Sequence, residues 1–170
     1  LGLWLSNEPP DRRLFIWLGG GGNGKSVLLD LIKAISPFTH SLRPEVLITS
    51  GRNTSQNSSS HTASLDVLFE NRLVFVAEPP EKGRLVAGMC KALTGGDAIA
   101  RRSIYSAATK NTKPNRCKII VCTNEMFSIQ KTEALVDRLQ YLEFKQRFLE
   151  QPDASNTCQV KKDSESVAAF

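Results

Sequence analysis

The run Gly19-Gly20-Gly21-Gly22-Asn23-Gly24-Lys25-Ser26 fits the pattern GxxxxGK[ST]. That spacing suits one task, holding the phosphates of a nucleotide. Glycines let the backbone curl until several N–H groups face one anion. A helix that starts at Lys25 adds the positive end of its dipole. Lys25 has the reach for the β- and γ-phosphates, and the Ser26 hydroxyl suits Mg²⁺. The candidate nucleotide contacts are therefore Gly19, Gly20, Gly21, Gly22, Asn23, Gly24, Lys25, Ser26 and Val27. A glycine-rich turn with no ligand is the plain alternative. The loop alone does not choose among nucleotide kinases, GTPases and motors.

Three downstream positions narrow the chemistry. Leu73–Ala77 is an apolar run that ends at Glu78. A carboxylate at such a strand end can hold Mg²⁺ and orient an attacking water; a surface acid capping a strand is the alternative. Cys117–Thr123 is a second such run and ends at Asn124. An amide there can hydrogen-bond a γ-phosphate or a water without adding charge, although asparagine also ends strands as a turn former. Arg138 follows a short acidic turn and starts an apolar–polar alternation. An arginine given to a neighbouring subunit's nucleotide stabilises charge in the transition state; a salt bridge to Asp137 is the alternative.

These residues need a frame. Leu14–Leu18 is continuously apolar, as a strand buried on both faces should be. Lys25–Ile35 reads as a helix with Val27, Leu28, Leu31, Ile32 and Ile35 at helical spacing, stopped by Ser36-Pro37. Thr49–Thr62 is polar and reads as a mobile surface loop. Leu65–Phe69 suits a short helix, and Leu85–Leu93 an amphipathic one broken by Thr94-Gly95-Gly96-Asp97. Ile104–Pro114 reads as a hairpin with a polar tip. Glu133–Asp137 reads as a helical turn and Arg138–Phe144 as a last strand. Alternating strands and helices predict a three-layer α/β domain with a mostly parallel central sheet. Residues 1–150 form the expected core, and 151–170 a polar tail of doubtful order.

Composition agrees with one globular domain: 170 residues, 41% hydrophobic and 23% charged. No apolar run approaches the roughly 18 residues of a membrane helix. The chain opens on Leu1 and is read as a piece of a longer protein. Cys90, Cys117, Cys122 and Cys158 form no CxxC pair and are read as reduced packing residues. Cys117 and Cys122 lie five apart, which puts them on opposite faces of a strand. From Lys82 to Lys118 nine basic residues face one acid, Asp97. That segment carries +8 of a chain whose net charge is +5, leaving −3 elsewhere. A concentration of this kind points to a polyanion partner; a solvated basic surface is the alternative.

In this order the features resemble the superfamily 3 helicases, a viral and plasmid branch of the AAA+ ATPases. The likeness is to the helicase domain of phage and plasmid primase–helicases and of those of poxviruses and other large DNA viruses. It runs from about Leu3 to Phe148. It rests on GGGGNGKS at 19–26, RLVFVAE at 72–78, KALTGGDAIARR at 91–102, CKIIVCTNE at 117–125 and DRLQYLEF at 137–144. The resemblance implies a P-loop NTPase fold of AAA+ type with an inserted β-hairpin. It makes Lys25 and Ser26 the Walker A lysine and hydroxyl, Glu78 the Walker B acid, Asn124 the sensor and Arg138 the arginine finger. The cofactors it implies are ATP and Mg²⁺, held at Ser26 and Glu78. Its hairpin grips single-stranded DNA in the pore of a hexamer; here the candidates are Arg101, Arg102, Lys110 and Lys113. It further implies a homo-hexamer, a primase module in the full-length protein, no membrane partner, and an intracellular place in the host cytoplasm, virion or replication site.

One departure stands out. Many such proteins end the Walker B strand with two acids, and Ala77 takes the first place here. Glu78 then does both jobs, with Glu81 nearby. A ring ATPase acting on protein or genome packaging, a small-molecule P-loop kinase and a catalytically dead scaffold stay open as rival functions.

Overall fold

Strand β1, Leu14–Leu18, is the centre of construction. Its apolar side chains are buried on both faces, so it must have neighbours on both sides. The structure, a computed structural model, describes residues 12–50, 65, 67, 68, 70–95, 101, 102, 109, 110, 115–130 and 132–162. After β1 come helix α1 at Lys25–Ile35, β2 at Thr39–Ser41, a 3₁₀ turn at Pro44–Val46 and β3 at Ile48–Thr49. Then come β4 at Leu73–Ala77, β5 at Arg84–Leu85 and helix α2 at Ala87–Gly95. Short strands β6 at Arg101–Arg102 and β7 at Thr109–Lys110 precede β8 at Lys118–Thr123 and helix α3 at Glu133–Val136. The chain closes with β9 at Leu139–Glu143, β10 at Arg147–Leu149 and β11 at Gln159–Lys161.

The main sheet has the order β2-β4-β8-β1-β9 and is parallel at every pairing. Its register brings four strand ends into line. Leu18 sits opposite Thr123 and Glu143, and Ala77 opposite Cys122. The residues that follow, Gly19, Glu78, Asn124 and Phe144, therefore leave the sheet along one carboxyl edge, where ligands of open α/β sheets bind.

Side-chain alternation sorts the strands onto two cores. Leu14, Ile16, Val74, Val76, Cys117, Ile119 and Val121 point to one face, with Cys90 and Leu93 of α2 and Leu135 of α3 packed there. Trp17, Leu73, Phe75, Ile120 and Cys122 point to the other, against Leu29 and Ile32 of α1. The result is the expected three-layer α/β fold with a parallel sheet. Cys117 and Cys122 do fall on opposite faces.

Several local readings need correction. On α1 the buried residues are Lys25, Leu29 and Ile32, while Val27 and Ile35 are 47% and 54% exposed. Its buried stripe is narrower than the apolar spacing suggested. The helix expected from Leu85 starts at Ala87, because Leu85 pairs with Ile48 in the β3–β5 ladder and donates its N–H to Ser128. It also runs through Thr94 to Gly95, with the Thr94 hydroxyl bonded to the Cys90 carbonyl. The hairpin begins earlier than read, with Arg101 opposite Lys110 and Arg102 opposite Thr109. The polar tail carries β11, which pairs with β10 in parallel. Cys158 is exposed and does not pack. The loop expected over Thr49–Thr62 starts later than read, because Thr49 belongs to β3 and pairs with Arg84; residues 51–62 and Lys113 lie outside the described residues.

Candidate functional site

The Gly19–Ser26 loop leaves β1 and curls through three positive-φ glycines, Gly21 at 79°, Gly22 at 62° and Gly24 at 82°. A β-carbon is strained at such angles, so this path needs glycine. Gly19 is held for another reason. Its N–H donates to the Thr123 carbonyl, and a Cβ there would collide with Asn23 Nδ2. At Gly20 and Gly21 an added Cβ would meet nothing within 4 Å. The loop's outer surface is thus open, as a phosphate cradle requires.

Lys25 opens α1 yet is only 7% exposed. Its ammonium donates to the Gly19 carbonyl, to Asn23 Oδ1 at 2.9 Å and to Asn124 Oδ1 at 3.1 Å. Three acceptors meet the three ammonium protons. Burial pulls its pKa below the ordinary lysine value, and Cys122 acts weakly in the other sense. Asn23 is 6% exposed and is the bracket of the arrangement. Its Oδ1 takes Lys25, and its Nδ2 reaches the Phe144 carbonyl at 3.4 Å. The sequence marked Asn23 only as part of the loop. Its bracing role depends on a carbonyl 121 residues away.

Asn124 follows β8 and is exposed apart from its bond to Lys25. Beside it the Thr123 hydroxyl bonds the Glu125 carbonyl at 2.5 Å, which turns the chain at the strand end. Glu78 follows β4 at φ 50° and is exposed. A left-handed backbone is unusual for a non-glycine residue, and here it ends the strand abruptly and turns the chain into the Pro79-Pro80 corner. Ser26 and Val27 lie at the exposed start of α1. Residues 21–26 of the loop, Glu78, Glu81 and Asn124 line one cleft of about 1610 Å³. Sequence-predicted Lys25, Ser26, Val27, Glu78 and Asn124 therefore converge.

Arg138 does not join them. Its backbone carbonyl accepts from Leu14 N–H, which places it at the amino edge of the sheet, opposite the loop. Five strand residues, roughly 16 Å, separate the two edges. Its Nη1 donates to the Ala134 carbonyl at 2.8 Å, and its Nε is buried without a partner among the described residues. No ion pair to Asp137 appears among the described residues. Arg138 also sits close enough to Cys90 to oppose, in part, the burial that pushes that thiol up to about 11.

The basic segment is less uniform than its composition. Lys118 is 4% exposed, so its charge belongs to the interior and not to a surface patch. Arg101, Arg102 and Lys110 lie on the paired strands β6 and β7.

The sequence missed one wall of the cleft. Phe148, Val160, Lys161 and Lys162 line it from the C-terminal side. Single short strands three residues long carry too little periodicity to read.

The fold and loop together make an α/β domain with a parallel sheet, consistent with a P-loop NTPase. No family model matches the chain. It is 27% identical over 160 residues to "Putative helicase L207/L206" of Acanthamoeba polyphaga mimivirus, an alignment covering 94% of this chain and 16% of that protein. Among solved structures it is similar to the apo C-terminal region of NrS-1. One A-form structure superposes with TM-score 0.62 at 17% identity over 98% of this chain and 36% of that one. A second gives TM-score 0.57 at 20% identity over 84% and 32%. The chain thus spans a minor part of each relative's length. Among the described residues no helix is long and apolar enough to cross a membrane.

Proposed function

We propose that this chain is the ATP-hydrolysing motor domain of a replicative DNA helicase of the superfamily 3, AAA+ kind, working on single-stranded DNA. The observation that carries the reading is the meeting of Lys25 with Asn124. A phosphate-loop lysine and a sensor-type amide are joined at one sheet edge, with Glu78 on the neighbouring strand. The viral relative named as a helicase supports the same direction.

The residues fit a nucleoside triphosphate. The cradle is open at Gly20 and Gly21, and Lys25 is held at its floor. Bound Mg²⁺ would be held by Ser26 and Glu78 and would supply charge neutralisation between phosphate oxygens. Each protein group then has a task. The loop N–H groups orient the phosphates, and Lys25 exchanges a neutral acceptor for a charged one. Asn124 is released toward the terminal phosphate or a water beside it. Glu78 accepts a hydrogen bond from that water. Ala77 leaves Glu78 as the acid closest to the strand end, with Glu81 in the same cleft beside it.

Arg138 stands too far from its own loop to act there, so its proposed role is toward a neighbour's nucleotide in a ring, which we read as a homo-hexamer. Hydrolysis then shifts the interface and moves the hairpin of Arg101, Arg102, Lys110 and Lys113 along DNA. Grip on backbone phosphates, without base readout, suits a motor that must pass every sequence. The test is ATP turnover by the full-length protein with and without single-stranded DNA. Stimulation by DNA is expected. Turnover indifferent to DNA would reject the helicase reading and favour a ring ATPase acting on protein.

A further inference from the structure

The C-terminal wall of the cleft is tied directly to the phosphate loop. Phe148 N–H donates to the Gly22 carbonyl at 2.8 Å. The Phe148 ring lies over Gly24, where an added Cβ would meet a ring carbon at 3.4 Å. Arg147 flanks Gly22 in the same way, at 3.7 Å. The ribbon is itself fixed, because Arg147 N–H donates to Cys158 and Lys162 N–H to Leu149, both at 2.7 Å.

Its apolar side chains are nevertheless left open. Phe148 and Val160 are opposite one another in the parallel β10–β11 register, so they share a face. They are 43% and 40% exposed, and both line the cleft that contains the loop. Val27 of α1, 47% exposed, lines it too. An aromatic ring and two branched aliphatics beside a phosphate cradle form a surface for a flat, apolar-faced group attached to phosphate.

We infer that the β10–β11 ribbon is a nucleobase platform: Phe148 and Val160 cover a face of the base of a nucleotide whose phosphates lie on Gly19–Ser26. This deepens the phosphate-loop reading above and rests on it. Neither side chain has a polar atom, so the platform holds the base by its face and does not read its edge. Adenine and guanine nucleotides should therefore gain almost equally from it, and a triphosphate without a base should gain nothing.

The experiment is equilibrium binding of ATP, GTP and inorganic tripolyphosphate to the full-length protein and to Phe148→Ala and Phe148→Trp. Phe148→Ala keeps the main-chain donor to Gly22 and should weaken ATP and GTP by about tenfold each, the scale of one base–aromatic stack. It should leave tripolyphosphate unchanged, and Phe148→Trp should bind ATP as the parent does. Equal weakening of ATP and tripolyphosphate by Phe148→Ala would overturn the platform, since the ribbon would then act only on the loop. So would a parent protein that binds tripolyphosphate as tightly as ATP. Both results leave the phosphate-loop reading intact. Failure of the parent to bind either ligand would remove that reading and the platform with it.

Discussion

Lys25 Nζ and Asn124 Oδ1 lie 3.1 Å apart although 99 residues separate them in the chain. Parallel pairing of β1 with β8 makes the contact possible, because it sets Leu18 beside Thr123 and so brings both strand ends to one edge. The bond joins the residue that would hold phosphate to the residue that would report its presence.

That relationship separates the effects of two substitutions. Lys25→Ala removes the charge proposed to hold phosphate and should lower ATP turnover at least about a hundredfold, the scale of losing one preorganised donor. Asn124→Ala leaves Lys25 with the Gly19 and Asn23 acceptors. It should therefore keep nucleotide affinity within about threefold while reducing kcat on the order of tenfold or more. Equal losses in binding and turnover for Asn124→Ala would remove its assignment as a sensor.

Much of this architecture is legible in the chain. Leu14–Leu18, Leu73–Ala77 and the helix at Lys25–Ile35 are found where long apolar runs and punctuation by glycine and proline place them. Lys25, Ser26, Glu78 and Asn124 share a cleft because each follows or closes such a run. What escaped was set by contacts distant in sequence. Asn23 is a bracket only because Phe144 arrives beside it. Leu85 is a strand residue only because Ile48 pairs with it. Phe148 gains a place over Gly24 through backbone pairing that its polar surroundings do not announce.

The thiols give a test of packing that does not involve nucleotide. Burial pushes Cys90 and Cys122 up to about 11 and Cys117 up to about 12, whereas Cys158 is exposed. At pH 8 an alkylating reagent should modify Cys158 first, with the other three protected until the protein unfolds. Peptide mapping after brief iodoacetamide treatment reads the order.

The same thiols set an alkaline trend. Their folded-state values lie above the unfolded value of about 9, so above pH 9 the unfolded chain loses protons that the folded chain keeps. Stability should fall as pH rises from 9 toward 11 to 12. Lys25 opposes this below its ordinary value, because its own pKa is lowered, but it is one group against three. Thermal midpoints should decline across this range, and less steeply in Cys117→Val. A flat profile would contradict the burial of these thiols.

The proposed DNA-gripping segment, with Arg101, Arg102 and Lys110 on β6 and β7 and Lys113 beyond them in sequence, makes a prediction in salt. If its basic residues neutralise backbone phosphates, each contact adds about 0.7 to the magnitude of the slope of log affinity against log salt for single strands. Replacing Lys110 and Lys113 together by alanine should lower that slope by about 1.4. It should also weaken all sequences alike. An unchanged slope would reject these residues as the grip.

Arg138 provides the sharpest test of assembly, because its two possible duties give opposite results in mixtures. It lies at the amino edge of the sheet, where its backbone carbonyl accepts from Leu14, while the phosphate loop lies at the carboxyl edge. A role toward the neighbouring subunit predicts that Arg138→Ala and Lys25→Ala are each inactive alone. Mixed, they should regain part of the turnover, since some interfaces then pair an intact loop with an intact arginine. A role inside its own chain, through Nη1 on the Ala134 carbonyl, predicts no recovery and a lower thermal midpoint for Arg138→Ala. Turnover of the mixture, measured beside the melting of each variant, decides between them. Arg138→Lys sharpens the comparison, because it keeps the charge but loses the planar fork that a terminal phosphate would engage. If the guanidinium serves a neighbour's nucleotide, Arg138→Lys should be as inactive alone as Arg138→Ala, and mixing it with Lys25→Ala should restore turnover to the same extent.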